Sequence, residues 1–236
     1  MTAQTTRLPA HAFADLNAQL AQLHVRIAGR LHLGLLTRVT RYGLRRDLAV
    51  PMEKKPAAKI PIKVRELRET DIVALLSTED VRGNAEECLE IARRRAFVEK
   101  GIARCFVAVD KRTDTACYMQ WLIAAADVEP IRQSGNFPSL QPGEALLENA
   151  YTPVRYRGLG IMSAAMAEIA ERAAFIGARY VLTFVDDRNI ASLKGCQRSG
   201  FHPHLLHRQM MFAFGTVKRN SFTVLAENDP IRRTTF

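Results

Sequence analysis

Apolar residues recur along this chain at two spacings, one typical of strands and the other typical of helices. Alternation of apolar and polar residues predicts strands over residues 62–67, 104–109, 116–124, 144–151, 179–186 and 202–214. Apolar residues three or four apart predict helices over residues 72–76, 84–99, 158–176 and 190–198. This order of strands and helices indicates a protein of the α/β (α+β) class.

The first quarter of the chain has a different pattern. Residues 11–46 predict a basic amphipathic helix, or two helices broken near Gly29 or Gly34. One face of this helix is apolar: Leu16, Leu20, Leu23, Ile27 and Leu31. Residues 1–64 hold 11 Lys/Arg and 3 Asp/Glu, whereas the net charge of the whole 236-residue chain is +10. The basic character therefore lies mainly in this quarter.

A stretch rich in Pro, Ala and Lys at residues 52–61 predicts a linker. We therefore expect a helical extension with its linker at 1–58, a folded domain at 59–215 and a C-terminal tail at 216–236. For the extension we favour packing against the folded domain or against a second copy of the chain, which would make a homodimer. Contact of residues 11–46 with an anionic membrane surface is the alternative. Nucleic acid is less favoured, because charge alone is a weak signal for it.

Cysteine usage and the lengths of the apolar runs indicate a cytoplasmic protein. The chain is 47% hydrophobic, but it has no run of 18 apolar residues and no signal-peptide pattern. The four cysteines are scattered without a Cys-x-x-Cys pair: Cys88, Cys105, Cys117 and Cys196. Such spacing is typical of reduced thiols in a cytosol. If the extension binds a membrane, the protein would be peripheral to its inner face.

A glycine turn lies between the predicted strand 144–151 and the predicted helix 158–176. Its sequence is Arg155-Tyr-Arg-Gly158-Leu-Gly160-Ile161. A strand, a glycine turn and a helix in succession point backbone N–H groups at a phosphate, and the first helical turn adds unpaired donors and the positive end of the helix dipole. A side chain at Gly158 or Gly160 would block close approach of a ligand. The turn therefore indicates a site for a cofactor that carries a diphosphate.

Two common phosphate motifs fit this turn poorly. A dinucleotide fingerprint needs a third glycine where Ser163 stands, and its acidic residue comes earlier than Asp186 and Asp187 do here. A Walker loop needs a Gly-Lys-Ser/Thr sequence that is missing. The alternative to a phosphate site is a tight strand-to-helix turn that binds no ligand.

Two blocks of residues resemble a known family. Arg155-x-x-Gly158-x-Gly160 is similar to the Gln/Arg-x-x-Gly-x-Gly/Ala signature of the GNAT (Gcn5-related) superfamily of acyl-CoA-dependent N-acyltransferases. Val181 to Val185, followed by Asn189 to Ser192 and by Gly200-Phe201, is similar to that family's second block. The resemblance covers about residues 62–215 and is strongest at 144–201.

The resemblance implies a mixed sheet of six or seven strands, splayed between the strands at 144–151 and 179–186. The pantetheine arm of acetyl-CoA would lie in the splay, and the diphosphate would lie on the amides of the glycine turn. The implied cofactor-binding residues are Tyr151, Thr152, Arg155, Tyr156, Arg157, Gly158, Leu159, Gly160, Ile161, Asn189 and Ser192. Asn189 is also expected to be a helix N-cap. For Gly200-Phe201 we favour a C-cap followed by a core aromatic.

Three residues are candidates for the chemistry of acyl transfer to an amine. Glu144 and Glu148 are four apart on one strand and so project from one face. Either carboxylate could accept the amine proton, and burial would raise its pKa towards neutrality. A backbone N–H near 148–150 would donate to the acyl carbonyl. Cys196 stands where many family members have a Tyr that protonates the leaving thiolate, although a small buried helix residue is the favoured interpretation of it.

Two more stretches bear on the site. The triplet Arg93-Arg94-Arg95 on the predicted helix 84–99 is interpreted as solvated charge. The long loop 125–143 is expected to border the acyl acceptor.

The resemblance implies an N-acetyltransferase that transfers an acetyl group from acetyl-CoA to a primary amine of a small molecule or protein. The alternatives are transfer of a longer acyl group at a membrane surface and a non-catalytic module that binds CoA. We predict no metal, because no Cys or carboxylate completes a ligand set with His202, His204 and His207.

Overall fold

The computed structural model describes residues 34–102, 104–132 and 136–236. Its strands are β1 (Leu36–Asp47), β2 (Ile62–Glu66), β3 (Cys105–Asp110), β4 (Thr115–Ala124), β5 (Glu144–Tyr151), β6 (Tyr180–Asp186), β7 (His202–Phe212) and β8 (Val217–Val224). Its α-helices are α1 (Glu69–Leu76), α2 (Ala85–Glu99), α3 (Glu129–Arg132), α4 (Ile161–Arg172) and α5 (Ile190–Arg198). No helix of these residues is long and apolar enough to cross a bilayer.

Backbone hydrogen bonds join the strands into one sheet in the order β2-β3-β4-β5-β6-β1-β7-β8. β5 and β6 are parallel, whereas the pairs β2–β3, β3–β4, β4–β5 and β1–β6 are antiparallel. The sheet is therefore mixed, and the predicted α/β (α+β) class is confirmed. Within the described residues the sheet has eight strands rather than six or seven, because the residue pattern did not predict β1 or β8.

Residue contacts divide the chain into two compact units. The larger unit comprises residues 40–207 and 222–236, and within the described residues the smaller one comprises 34–39 and 208–221. In the smaller unit the N–H groups of Ala213 and Phe214 donate to carbonyl oxygens of Leu35 and Gly34 at 3.0 and 2.9 Å. All the residues of the candidate site described below belong to the larger unit.

The two faces of the sheet in the larger unit have separate hydrophobic cores. Along β4, Tyr118 and Leu122 belong to the core that includes α4, whereas Met119 and Trp121 belong to the core that includes α1 and α2. This alternation follows from the two-residue period of a strand. Because both faces of β4 are covered, almost every residue of the strand is buried.

Helix α4 continues into a 3-10 turn at Ala173–Ile176, and Gly177 is the C-cap of that turn. Gly177 has φ +78°, and the N–H of Ala178 donates to the carbonyl of Ala173 at 3.0 Å. Glycine is favoured at this left-handed C-cap because it has no Cβ. On the helix surface Arg172 Nη2 donates to Glu168 Oε1 at 2.9 Å, which is an i,i+4 ion pair.

The predicted helix over residues 11–46 is wrong over its last part, because Leu36–Asp47 is strand β1. The remaining part, 11–33, lies outside the described residues. From Arg41↔Asp186 to Asp47↔Tyr180, β1 pairs with β6. Thr37, Val39 and Thr40 are β-branched and favour a strand. Pairing with a strand that lies far along the chain is a signal that local spacing of leucines and arginines does not contain.

The predicted tail at 216–236 also contains regular structure, namely strand β8 and a 3-10 turn at Pro230–Arg233. Most of β8 is polar (Val-Lys-Arg-Asn-Ser-Phe-Thr-Val), so its alternation was too weak to indicate a strand.

Part of the predicted linker packs along α4, and we call residues 55–60 the strap. Lys59 N–H donates to the Leu159 carbonyl at 2.8 Å, and Lys55 Nζ contacts Glu171 Oε2 at 2.7 Å. The strap therefore runs antiparallel to the helix from its C-terminal to its N-terminal end. The predicted domain boundary between residues 58 and 59 falls inside the strap and stays a prediction.

Substitutions in β1 test whether this strand is part of the core. Leu44 is fully buried and Leu36 is 55% exposed. We expect Leu44→Ala to lower the free energy of unfolding by about 2–5 kcal/mol, because a buried cavity remains. Leu36→Ala on the same strand should change it by less than about 0.5 kcal/mol. Urea denaturation measures both, and equal small losses would contradict the placement of Leu44 in the core.

Candidate active site

β5 and β6 separate part-way along their length. Their parallel pairing runs from Glu144↔Tyr180 to Leu146↔Leu182, although both strands continue well beyond. A crevice of about 260 Å³ lies at this separation. Both strands contribute to its lining, with Glu148, Asn149 and Ala150 from β5 and Thr183, Phe184, Val185 and Asp186 from β6. The splay predicted between residues 144–151 and 179–186 is therefore present.

A bulge in β5 accompanies the separation. On β4 the pairing partners change from Trp121↔Glu148 to Met119↔Tyr151, so two residues of β5, Asn149 and Ala150, lie opposite one residue of β4. Asn149 has φ +59°, a left-handed conformation that Asn tolerates better than most residues. Such a bulge bends its strand and interrupts the ladder. The predicted backbone donor near 148–150 lies in this bulge, and its role stays a prediction.

Arg94 fastens helix α2 to the bulge. Its Nη2 donates to the Ala150 carbonyl at 2.9 Å and its Nη1 to the Glu90 carbonyl at 2.8 Å, and it also pairs with the Glu90 carboxylate. The guanidinium lies over the ring of Tyr151. Arg94 is only 8% exposed, so the interpretation of the whole arginine triplet as solvated charge was wrong for this residue. A run of three arginines does not reveal which of them meets a free carbonyl.

Glu148 is one of three carboxylates that line the crevice, together with Glu90 and Asp186. Burial, which disfavours the charged form, raises the pKa of Glu148 to about 7, while the N–H of Asn149 and the charges of Arg41 and Arg94 act in the opposite direction. A carboxyl group with this pKa is partly ionised at neutral pH. It can therefore accept a proton there and is less strongly hydrated than a surface carboxylate.

Glu144 lies in a different environment. It stands at the paired end of β5, opposite Tyr180, and its Oε2 accepts a hydrogen bond from the N–H of Gln141 at 2.8 Å. The lining of the crevice includes Glu148 and does not include Glu144. Of the two carboxylates proposed from the sequence, Glu148 is thus the one in the crevice.

Cys196 reaches the crevice from α5 and is buried, with its Sγ 3.8 Å from Met166 Sδ. Burial raises the pKa of the Cys196 thiol to about 12. A thiol with this pKa stays protonated at neutral pH and is a poor acid. This favours the interpretation of Cys196 as a small buried helix residue over a role as proton donor.

The sequence did not single out a buried polar pair, one member of which lines the crevice. Gln120 lines the crevice and accepts a hydrogen bond from Tyr118 Oη at 2.7 Å. Both residues are fully buried, and burial raises the pKa of Tyr118 well above its usual value. A Gln in an otherwise apolar strand was the available signal, since a buried amide must find partners.

The glycine turn precedes α4 with both glycines in the left-handed region, at φ +74° for Gly158 and +73° for Gly160. A Cβ on Gly158 would meet no atom within 4 Å, whereas one on Gly160 would lie 3.2 Å from the Ala57 carbonyl of the strap. Gly158 thus borders open space, and Gly160 borders the strap.

The amides at the start of α4 have the arrangement expected of an anion site. Helical hydrogen bonding begins with Ala164 N–H to the Gly160 carbonyl at 3.2 Å. Gly160 is the N-cap and supplies no side-chain acceptor. The N–H groups of Ile161 to Ser163 therefore belong to the free donors of a helix N-terminus. Met162 in this first turn lines the crevice.

Side chains around the turn hold its shape. Arg157 makes a bidentate ion pair with Glu87 of α2 at 2.7 and 2.8 Å, and its Nε donates to the Thr152 carbonyl at 3.0 Å. Arg155 lies over the ring of Tyr156. Because Arg157 already has a carboxylate partner, its side chain positions the turn against α2. Its backbone N–H, which was predicted to meet phosphate, donates instead to the Val154 carbonyl at 3.1 Å.

The remaining predicted cofactor residues fall into two groups. Asn189 caps α5, with Oδ1 accepting the N–H of Ser192 at 3.1 Å, and both residues line the crevice. Tyr151 and Ile161 are buried in the two cores, and Leu159 packs against one of them while its carbonyl accepts from the strap. The structure therefore brings Asn189 and Ser192 to the crevice and gives Tyr151, Leu159 and Ile161 packing roles.

The loop at 125–143 reaches β6. Phe137 packs edge-on against Phe184, with ring centroids 5.7 Å apart, and Phe184 lines the crevice. This contact is compatible with the prediction that the loop borders the acceptor, which stays a prediction. Among the described residues no group of three or more His, Cys, Asp or Glu side chains could hold a metal.

The raised pKa of Glu148 predicts a stability difference that depends on pH. Between about pH 4.3, the ordinary value for Glu, and about pH 7 the folded chain holds a proton that the unfolded chain has lost. The free energy of unfolding contributed by Glu148 is therefore greatest below this window and falls as pH rises through it. We expect Glu148→Gln to gain roughly 1–3 kcal/mol relative to wild type on going from about pH 4.5 to about pH 8.

Urea denaturation of both proteins at the two pH values measures this difference, and other titrating groups cancel between them. An unchanged difference between the two proteins would contradict the burial of Glu148.

Comparison with protein-family models finds no match for this chain, and comparison with curated proteins finds none either. Comparison with solved structures finds likenesses at low identity. A GNAT-family acetyltransferase from Colwellia psychrerythraea is 14% identical, with a TM-score of 0.47 over 80% of this chain and 57% of its own. A GCN5-related N-acetyltransferase from Sphaerobacter thermophilus is 15% identical, with a TM-score of 0.44 over 75% of this chain and 54% of its own.

A GNAT-family acetyltransferase from Brucella melitensis, solved in complex with acetyl-CoA, is 13% identical, with a TM-score of 0.37 over 56% of this chain and 81% of its own. This chain spans a little over half the length of the Colwellia and Sphaerobacter proteins. The superfamily named for these three structures is the one that the residues at 155–160 and 181–201 resemble.

Proposed function

We propose that this chain is an acyltransferase that moves the acetyl group of acetyl-CoA to a primary amine of a small molecule or protein. The observation that carries the proposal is the crevice between β5 and β6, which contains Glu148 and adjoins the uncapped N-terminus of α4. A thioester held there would have its reacting end among the residues of the β5 bulge.

The fit of coenzyme A rests on the turn and the crevice together. Gly158 leaves open space where a Cβ would be, and the first amides of α4 offer donors beside it. A diphosphate suits such donors because they are fixed in place and the helix dipole favours negative charge. The pantetheine arm carries amides that can pair as a strand does, and β5 and β6 no longer pair with each other along the crevice.

The chemistry requires a proton acceptor for the attacking amine. In acyl transfer the amine nitrogen forms a bond to the carbonyl carbon, the carbon–sulfur bond breaks, and the sulfur leaves with the bonding pair. Glu148, with its pKa of about 7, accepts the proton that the nitrogen loses, directly or through a water molecule. The thiolate then takes a proton from solvent, because Cys196 with its pKa of about 12 is a weak donor.

Positive charge near Glu148 fits this role. Arg94 and Arg41 both lower the pKa of Glu148 from the value that burial alone would give. They therefore keep a fraction of the carboxylate ionised at neutral pH while the crevice limits its hydration. Burial and charge together place the pKa near the working pH, where a general base is most effective.

Substitution of the first glycine tests cofactor binding. We expect Gly158→Asp to weaken the affinity for CoA by at least about a hundredfold, because a carboxylate would enter the place of the diphosphate. Gly177→Asp is a matched control, since Gly177 has nearly the same φ and equally open surroundings at the other end of the helix region. Isothermal titration with CoA gives both affinities. Equal affinities in the two variants would rule out the turn as the diphosphate site.

Substitution of the two carboxylates tests the base. With an amine found by screening thiol release, we expect Glu148→Gln to lower kcat/KM by about 10²–10⁴. We expect kcat/KM of the wild type to rise as pH increases through about 7, and Glu148→Gln should remove this rise. Glu144→Gln should keep both the rate and the pH profile, because Glu144 is bonded to Gln141 outside the crevice. A loss in Glu144→Gln alone would reverse the assignment.

A further inference from the structure

A second cavity lies in the larger unit, where β1 ends, β7 begins and α5 ends. Its volume is about 670 Å³, which is within the range of about 300–1,000 Å³ found for ligand pockets. Its lining shares no residue with the crevice between β5 and β6. The cavity is therefore a separate space from the crevice.

Cationic side chains from four parts of the chain line this cavity. They are Arg45 and Arg46 of β1, Lys54 before the strap, Arg198 at the end of α5 and Arg232 of the C-terminal 3-10 turn. Two carboxylates, those of Asp47 and Glu53, also line it. Asp47 is already bound by Arg179 at 3.1 Å and by the N–H of Ala49 at 2.9 Å. The excess of charge in the cavity is thus positive.

Three of these arginines have no carboxylate partner among the described residues. Arg45 lies over the ring of Tyr180 at 4.4 Å. Arg198 reaches the hydroxyl of Ser163 at 3.4 Å. Arg232 donates to the Leu225 carbonyl at 2.8 Å and lies 3.4 Å from His204 Nδ1. Most of the donors of three guanidinium groups therefore remain for a ligand, since each group has five N–H bonds.

Arg46 adds a fixed positive charge to the wall. It is only 4% exposed, and Nη1 donates to the Ala167 carbonyl at 3.0 Å while Nη2 pairs with Glu171 at 3.2 Å. Its Nε is buried without a hydrogen-bond partner in the described part of the chain. A Cβ on Gly200 would lie 3.4 Å from that Nε, so the glycine keeps space open beside it. A charged group that is buried with an unpaired donor lowers the stability of the fold unless an acceptor forms a hydrogen bond with that donor.

The pKa of His204 is affected by the same positive charges. Burial and the neighbouring charges of Arg45 and Arg232 lower the pKa of His204 to about 4, so the ring is neutral at physiological pH. A neutral ring beside Arg232 can accept a hydrogen bond from it, which orients the guanidinium.

We propose that this cavity is a second ligand site, which binds a small molecule carrying a phosphate or diphosphate through Arg45, Arg198 and Arg232. Guanidinium groups suit this ligand because their planar forks bind phosphate oxygens in pairs. The three arginines come from β1, α5 and the C-terminal turn. A bound phosphate would therefore contact parts of the chain that are far apart in sequence.

The test uses the full chain saturated with CoA and titrated with inorganic pyrophosphate by calorimetry. Saturation with CoA fills the crevice, so any pyrophosphate that still binds does so elsewhere. We expect saturable binding at one site that weakens as salt is added. Arg198→Gln and Arg45→Gln should each weaken it by about tenfold or more, as the loss of a charge-assisted pair does.

Arg233→Gln is the matched control, because Arg233 is the exposed neighbour of Arg232 and does not line the cavity. It should change the affinity by less than about twofold. The NMR signals of the His204 ring should shift during the titration in wild type, and the midpoint of this shift should move to about tenfold higher pyrophosphate or more in Arg198→Gln. Arg198 is exposed, so its variant is expected to fold, and circular dichroism checks that it does.

Three results would overturn the proposal: no saturable binding, equal affinities in Arg198→Gln and Arg233→Gln, or displacement of pyrophosphate by CoA. Binding to anionic lipid vesicles with no binding of pyrophosphate would overturn it as well. If CoA itself fails to bind, the titration is carried out without it, and the arginine variants still decide the outcome.

Discussion

The rest of the site depends on one constraint, which is that a sheet can open only where its backbone polar groups find other partners. Between β5 and β6 the ladder ends at Leu146↔Leu182, and both strands continue. Buried backbone groups without partners are costly, so the opening needs support. Arg94 supplies part of it by binding the Ala150 carbonyl, and Asn149 supplies another part by accepting a left-handed conformation that most residues would not tolerate. The crevice is thus held open by specific residues.

The same support also sets the electrostatics of the crevice. Arg94 belongs to α2. Its charge lowers the pKa of Glu148, and its guanidinium forms an ion pair with the Glu90 carboxylate of the same helix. Arg94 therefore both stabilises the bulge in β5 and lowers the pKa of Glu148. Glu87 of the same helix forms an ion pair with Arg157 of the glycine turn. One helix, α2, thus positions both the bulge and the turn.

The sequence predicted most of the elements between residues 62 and 214, because their apolar periodicity is strong and local. It was wrong for Glu129–Arg132, which is helix α3 and lies in the stretch predicted to be a loop. It predicted the opening between β5 and β6 only through the resemblance of its motifs, and it could not locate the bulge, since nothing about Asn149 in isolation requires φ +59°. The burial of Arg94 was missed because a charged triplet on a helix gives no indication of the carbonyl that one member will meet. Strand β1 was missed because its pairing partner lies far along the chain, beyond the reach of any local pattern.

That long-range pairing has a consequence for how the chain is made. Arg41 of β1 pairs with Asp186 of β6, so roughly 140 residues must be synthesised before the hydrogen bonds between them can form. Until then β1 emerges from the ribosome as an unpaired edge, with Leu44 exposed to water. The intervening hairpins can assemble early from neighbouring contacts, whereas the sheet closes late. An unpaired strand of this kind favours aggregation while the chain is being made.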